Sequence, residues 1–263
     1  MLDLDRMPRA AMRDAIALLC DIDDTLTTSD GRLPAASYTA LERLQRTGLL
    51  VVPVTGRPAG WCDLIARQWP VDAVVGENGA AWFARAGNRL VVRPWKSEAE
   101  RRHDRARLDA LAERILREVP GSDLASDQPY RISDLAIDWC EDIPPLSPAR
   151  VARVVALFEE AGATVKVSSI HVNGWFGPFD KLAMARVLFA ENFGLDLDAL
   201  RGRILFVGDS PNDAPMFGFF PHAVGVANVR DFAGRLAAEP AYVTRARSAE
   251  GFAELAAAIL AVR

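Results

Sequence analysis

Asp21 and Asp23 stand one residue apart at the end of an apolar run, Ile16-Ala-Leu-Leu-Cys20-Asp21-Ile22-Asp23-Asp24-Thr25. Such a run reads as a strand buried on both faces, as in a parallel sheet. Side chains at i and i+2 of a strand share a face, so this reading projects both carboxylates together where the strand ends. In open α/β sheets that carboxyl edge is where ligands bind and chemistry happens. Adjacent carboxylates repel, so the pair asks for a cation or for a division of labour. Strand-end aspartates are common on protein surfaces; two on one face after a buried run are less so.

The elements that must carry these residues alternate. Leu49-Leu-Val-Val-Pro-Val54 is a second buried run, with Pro53 at a place where no ladder N–H is needed. Pro34 to Thr47 carries Tyr38, Leu41 and Leu44 at helical spacing and stops at Gly48. Pro58 fits the first position of a helix bearing Trp61, Leu64 and Ile65. Asp72 to Gly76, Ile204 to Gly208 and Ala223 to Val226 read as further strands, and Phe252, Leu255, Ala256 and Ile259 form the apolar stripe of a last helix. Strands alternating with helices predict right-handed crossovers and a Rossmann-like, mainly parallel sheet with helices on both faces.

The middle of the chain differs. Ser97 to Val119 is one long charged helix, and Ala149 to Glu160 is another after the break at Pro144, Pro145 and Pro148. Leu135 to Trp139, Thr164 to Val167 and Ile170 to Trp175 read as strands, the last two joined by a tight turn at Ser168-Ser169. The expected division is a core domain of residues 1–84 and 176–263, with an α+β cap inserted at 85–175.

Half of the 263 residues are hydrophobic, enough for a large core. The net charge of −4, with basic residues interleaved among acids, argues against a nucleic-acid partner. The three cysteines, Cys20, Cys62 and Cys140, are far apart and show no metal spacing, which points to free thiols in a reducing compartment. No apolar run is long enough for a membrane span, and the first residues lack a signal-peptide block. These features predict a cytoplasmic protein with no membrane partner; they leave the oligomeric state open.

Four separated segments resemble the haloacid dehalogenase superfamily of phosphohydrolases: Asp21-Ile-Asp23-Asp-Thr25-Leu26, Val54-Thr55-Gly56-Arg57, Asp180-Lys181 heading a helix, and Gly208-Asp209-Ser210-Pro211-Asn212-Asp213. Their order and contexts match across essentially the whole chain. The inserted unit, together with Glu77-Asn78-Gly79-Ala80, resembles the type IIB cap of sugar-phosphate phosphatases. The resemblance implies a Mg²⁺-dependent phosphomonoesterase acting on a small phosphorylated metabolite, a sugar phosphate above all. By the same resemblance Asp21 is the nucleophile that becomes an aspartyl-phosphate, and Asp23 is the acid and base. Asp21 and Asp209, with the Asp23 backbone carbonyl, hold Mg²⁺. Thr55, the adjoining Gly56 backbone, Lys181 and Asn212 hold the phosphate, and Asp213 orients Lys181 or a metal-bound water. A phosphomutase and a catalytically idle binding module are the alternatives; dehalogenation fits poorly with this set of residues.

Several residues admit plainer readings. Ser210, Pro211 and Asp213 also form a helix-capping pattern. Lys181 follows a capping Asp180 and so falls in a first helical turn, where the macrodipole disfavours a cation; an anion in the site explains that placement. Arg57 is read as holding its loop. Asp24 stands where the family often has glycine, and period two sends its side chain away from Asp21. In the cap, alternation puts His171, Asn173 and Trp175 on one face, candidates for reading a sugar by hydrogen bonds and stacking. The face is equally compatible with ordinary packing. Arg131 is a further candidate anion contact.

Overall fold

The computed structural model describes residues 1–168 and 170–263; Ser169, half of the expected tight turn, lies outside the described residues. The strands are β1 (Leu2–Asp3), β2 (Ala17–Cys20), β3 (Leu50–Pro53), β4 (Ala73–Gly76), β5 (Ala81–Ala86), β6 (Arg89–Pro94), β7 (Asp123–Leu124), β8 (Leu135–Asp138), β9 (Thr164–Val167), β10 (His171–Trp175), β11 (Ile204–Gly208), β12 (Ala223–Gly225) and β13 (Tyr242–Val243). The α-helices are α1 (Arg9–Arg13), α2 (Ala35–Arg46), α3 (Ala59–Gln68), α4 (Glu98–Glu118), α5 (Pro148–Glu160), α6 (Lys181–Leu188), α7 (Leu197–Leu200), α8 (Ala214–Phe219) and α9 (Ser248–Leu260).

The expected doubly covered parallel sheet is present. Its order is β1-β13-β12-β11-β2-β3, and every pairing within it is parallel. Alternation divides the strand residues between two apolar layers. Leu18, Val51 and Leu205 pack with Leu41 and Leu44 of α2 and Phe252 of α9. Leu19, Val52 and Phe206 pack on the other face with Met184 of α6 and Met216 of α8. Parallel strands deliver all their carboxyl ends to one edge, so the loops after β2, β3 and β11, three adjacent strands, meet there without further help.

The sheet continues further than expected. A bridge from Val54 to Val75 joins β3 to β4, and β4 pairs antiparallel with the hairpin β5–β6. The expected boundary at residue 85 therefore falls inside β5. The hairpin belongs with the main sheet, and the separate α+β unit begins near α4.

In that unit β7-β8-β10-β9 form an antiparallel sheet with α4 and α5 on one face. Leu108, Ile115, Phe158, Ile137 and Val172 make its core. A Cβ at Gly174 would lie 2.1 Å from the Phe158 ring, so glycine is what lets α5 settle on β10. His171, Asn173 and Trp175 take the opposite face, which looks toward the main sheet. The two connections to the cap run side by side: Trp95 and Trp175 both pack on Phe179, with ring centroids 6.1 and 5.5 Å away, and Trp175 Nε1 donates to Phe179 O at 3.1 Å.

Candidate active site

Asp21 continues β2 by one residue, its N–H donating to Val207 O of β11 at 2.9 Å, and its side chain is buried. Lys181 Nζ donates to Asp21 Oδ1 at 2.7 Å and to Asp213 Oδ1 at 2.8 Å. The other Asp213 oxygen accepts from the Asp209 N–H at 3.1 Å. Carboxylate oxygens of Asp21, Asp209 and Asp213 lie within 4.8 Å of one another. Four residues from three distant segments thus share one buried point.

Backbone details set this geometry. Asp180 caps α6 as expected, accepting from the Ala183 N–H at 2.7 Å, which places Lys181 in the first turn. The macrodipole there disfavours a cation, and the two carboxylates outweigh it. Gly79 has φ +105°, and a Cβ on it would lie 2.0 Å from Asp180 O. The Glu77-to-Ala80 segment therefore fixes the entry of α6. A Cβ on Gly208 would lie 2.3 Å from Asp213 Oδ2, so glycine there makes room for the carboxylate that holds Lys181. The capping alternative for Asp213 fails: Ser210 makes no side-chain cap, and its hydroxyl donates to Asn212 Oδ1 at 2.7 Å.

Charge in the cluster is unbalanced. Burial, then Asp213 and Asp23, push the Asp21 carboxyl upward against the pull of Lys181. Burial and the charges of Asp21 and Asp213 drive Asp209 well above the usual carboxylate range. Burial opposes the charged form of Lys181, yet Asp21 and Asp213 hold it above an ordinary lysine. One ammonium offsets one of three carboxylates, and the remainder is what a hard divalent cation with all-oxygen ligation relieves. The donor set fits Mg²⁺. Asp213 stands beside Asp21 and Asp209, with one oxygen on Lys181 and the other on the Asp209 N–H.

Asp21 and Asp23 line the same cavity with different partners, Lys181 for the first and Arg57 for the second. Residues 21–27 are a tight turn, with the N–H groups of Thr25, Leu26 and Thr27 all directed at Ile22 O. The period-two reading therefore stops at Cys20. Asp24 has φ +54°, which is the physical reason a glycine suits this position. Its N–H donates to Thr27 Oγ1 at 3.0 Å, and its carbonyl accepts from Asn228 Nδ2 at 2.9 Å. Asp23 accepts from Arg57 Nε at 2.9 Å, and Arg57 also donates to Glu141 of the cap at 2.9 Å. His171 Nε2 lies 2.7 Å from the second Glu141 oxygen without the alignment of a hydrogen bond. Against the cost of burial, His171 and Arg57 bring Glu141 down to about 2. Arg57 does more than hold its loop: it spans core and cap.

Gly56, Asn212, Ser210, His171 and Asn173 join Asp21, Asp23 and Asp209 around a cavity of about 20 Å³. That is room for about one water molecule. Thr55 is fully buried, its Oγ1 accepting from the Arg57 N–H at 3.0 Å and its own N–H donating to Val75 O at 2.9 Å. A larger cavity of about 860 Å³, lined by Pro8, Ile16 and Arg203, lies at the amino ends of the strands, away from the carboxylates.

Two cap candidates do not reach the cavity. Arg131 is buried, and its guanidinium is spent on Asp127, Asp134 and Gly56 O, all at 2.9–3.1 Å. It ties the cap to the core instead of meeting an anion. Trp175 is buried against Phe179 at the hinge. Asn173 lines the cavity with its Nδ2 donating to Asp134 at 3.0 Å.

Glu77 is the structural residue that the sequence did not single out. It is buried with φ +45°, and its carboxylate accepts N–H groups from Ala59 of the core and from Ile132, Ser133 and Asp134 of the cap at 2.7–3.3 Å. Only its place in Glu77-Asn78-Gly79-Ala80 could have pointed to it.

Residues 18–99 match the family model of haloacid dehalogenase-like hydrolases. A search among curated proteins gives no match. The fold is similar to that of a Thermoplasma acidophilum protein (TM-score 0.72, 18% identity, covering 95% of this chain and 99% of that one). It is also similar to the Synechocystis sucrose-phosphatase solved with sucrose and phosphate (TM-score 0.64, 17% identity, 93% and 98% covered). The C-terminal domain of C. albicans trehalose-6-phosphate phosphatase is likewise similar (TM-score 0.70, 13% identity, 100% and 99% covered). The matched span carries the first two of the four motifs, and the similarity of fold extends over nearly the whole chain.

Proposed function

We propose that this chain is a Mg²⁺-dependent phosphomonoesterase that works through an aspartyl-phosphate on a small phosphorylated metabolite, a sugar phosphate by the company its fold keeps. One observation carries the reading: Lys181 bridges Asp21 and Asp213 inside a buried carboxylate cluster at the carboxyl edge of a parallel sheet.

An Asp21 oxygen attacks phosphorus and the bond to the leaving oxygen breaks. Asp23 gives its proton to that oxygen. A water then attacks the phosphorus of the acyl phosphate, Asp23 takes the proton, and inorganic phosphate leaves with Asp21 regenerated. Lys181, the Gly56 backbone and Asn212 hold the phosphoryl oxygens, and Asp213 aims Lys181. Mg²⁺, held by Asp21 and Asp209 with the Asp23 carbonyl, would neutralise charge shared by phosphate and carboxylates. The α+β unit over the site is the lid. The cavity of about 20 Å³ is too small for a phosphorylated sugar, so the α+β unit has to move to admit one.

The test is phosphate release from a panel of phosphorylated metabolites with Mg²⁺ and with EDTA. Release that needs Mg²⁺ and disappears in Asp21→Asn is expected. Turnover surviving in a folded Asp21→Asn protein ends the nucleophile assignment.

A further inference from the structure

Three cavities, the catalytic one among them, lie side by side and share wall residues. Asp23, Arg57 and Ile170 wall both it and a pocket of about 180 Å³ whose other walls include Asp24, Ser29, Asp30 and Glu141. Thr27 and Gly31 then wall both that polar pocket and an apolar cleft of about 450 Å³. The cleft is built from Ile22, Leu33, Trp61, Leu64, Trp69 and Tyr130, so the core and the cap both contribute. Arg57 joins the parts: it donates to Asp23 and Glu141, while its guanidinium carbon lies 4.4 Å from the centre of the Trp61 ring.

Much of this apolar surface is exposed to solvent. Helix α3 buries Cys62, Ile65 and Ala66 and leaves Trp61 and Leu64 at 40% and 51% exposure; Tyr130 opposite is 59% exposed. A Cβ on Gly60 would lie 2.9 Å from the Tyr130 Cβ, so a glycine on α3 is what lets the cap aromatic approach. A concave apolar site of this volume is of ligand size, and an apolar patch left in water costs free energy unless something covers it.

We propose that this cleft receives an apolar alkyl or aryl group on the substrate, beyond the polar part that lies next to the phosphate. The proposal rests on the phosphomonoesterase reading and narrows it: the substrate is a phosphorylated polar unit, such as a sugar, bearing an apolar substituent. Phosphate sits at Asp21 and Lys181, hydroxyls meet Asp24, Ser29, Asp30 and Glu141, and the substituent packs on Trp61, Leu64 and Tyr130.

The test uses methyl, butyl and hexyl β-glucoside 6-phosphates with the full chain and Mg²⁺. Kd is read by calorimetry on Asp21→Asn, or on metal-stripped wild type if that variant does not fold. The ratio of kcat/KM is read on wild type. A buried methylene is worth roughly a fourfold gain in affinity. The hexyl compound should therefore bind at least about tenfold tighter than the methyl one, with kcat/KM rising in step. Leu64→Ser, which alters a residue that lines the cleft and not the catalytic cavity, should remove most of that ratio. Equal affinity across the series, while sugar phosphates still release phosphate, overturns the cleft and leaves the hydrolase reading intact. Rising affinity with no phosphate release from any ester overturns the hydrolase reading instead. A dimer in sedimentation velocity that Leu64→Asp dissolves would show that a second copy covers the cleft, and this too overturns the proposal.

Discussion

The two walls of the catalytic cavity are built differently. On the core side, Asp21, Lys181, Asp209 and Asp213 sit on strand ends and a helix start, and they satisfy one another within a few ångströms. On the cap side, His171, Asn173 and Glu141 hang from an antiparallel sheet that reaches the core through Arg57, Arg131 and Glu77. The core wall is fixed by backbone geometry, down to two glycines where a Cβ would meet a neighbouring atom at 2.0–2.3 Å. The cap wall is fixed by ion pairs and hydrogen bonds that can part. Bond-making chemistry asks for the first kind of wall, and admission and selection of substrates for the second.

The sharpest way to break that contrast is at Asp21. Asp21→Asn should lower turnover by roughly 10⁴-fold or more, as loss of a covalent nucleophile does, with folding retained by circular dichroism. A loss of only tenfold would put the chemistry elsewhere. Lys181→Met comes next. It strands the carboxylates without their buried partner and should cost about 3–5 kcal/mol in urea unfolding. Were stability unchanged, the cluster would not depend on that ammonium. Gly79→Ala probes the backbone that seats α6. It adds a Cβ 2.0 Å from Asp180 O at a φ of +105°, and a loss of about 3 kcal/mol is expected. A neutral result would mean that the close approach relaxes at no cost.

Cap contacts should register more gently. Glu141→Gln, which weakens the link to Arg57, should cost about 1 kcal/mol at neutral pH, because the pair is partly solvated. The Glu141 carboxyl stands at about 2 in the fold against an ordinary 4.5. A depressed carboxyl stabilises the fold above its unfolded pKa and loses that contribution as pH falls through the folded one. The gap between wild type and Glu141→Gln should hold steady above pH 4.5 and close between pH 4.5 and 2, followed by urea midpoints. A gap that persists at pH 2 would assign the effect to packing rather than charge.

The core wall was largely legible in the chain because its residues obey short-range rules. Buried runs end in acidic residues, and Lys181 stands where the helix dipole argues against it. The parallel order then brings those ends together at no further cost in information. Asp24 was legible as a departure, and its φ of +54° explains it. Cap residues followed a weaker rule. Alternation placed His171, Asn173 and Trp175 on one face, but only the first two line the cavity, because Trp175 is stacked on Phe179. Arg131 looked free because its partners, Asp127 and Asp134, are near in sequence but ordinary in type. The β5–β6 hairpin was missed although Gly87-Asn88 between two apolar runs signals a two-residue turn. Helical spacing put Trp61 and Leu64 on α3 with Ile65, and only the packing shows that the first two face outward.

The small volume enclosed between the two walls also has a bearing on what ends the catalytic cycle. A space of about 20 Å³ is smaller than a phosphoryl group, so this arrangement comes before or after the chemistry and does not enclose a phosphorylated aspartate. A reaction at Asp21 would then begin and end with the cap parted from the core.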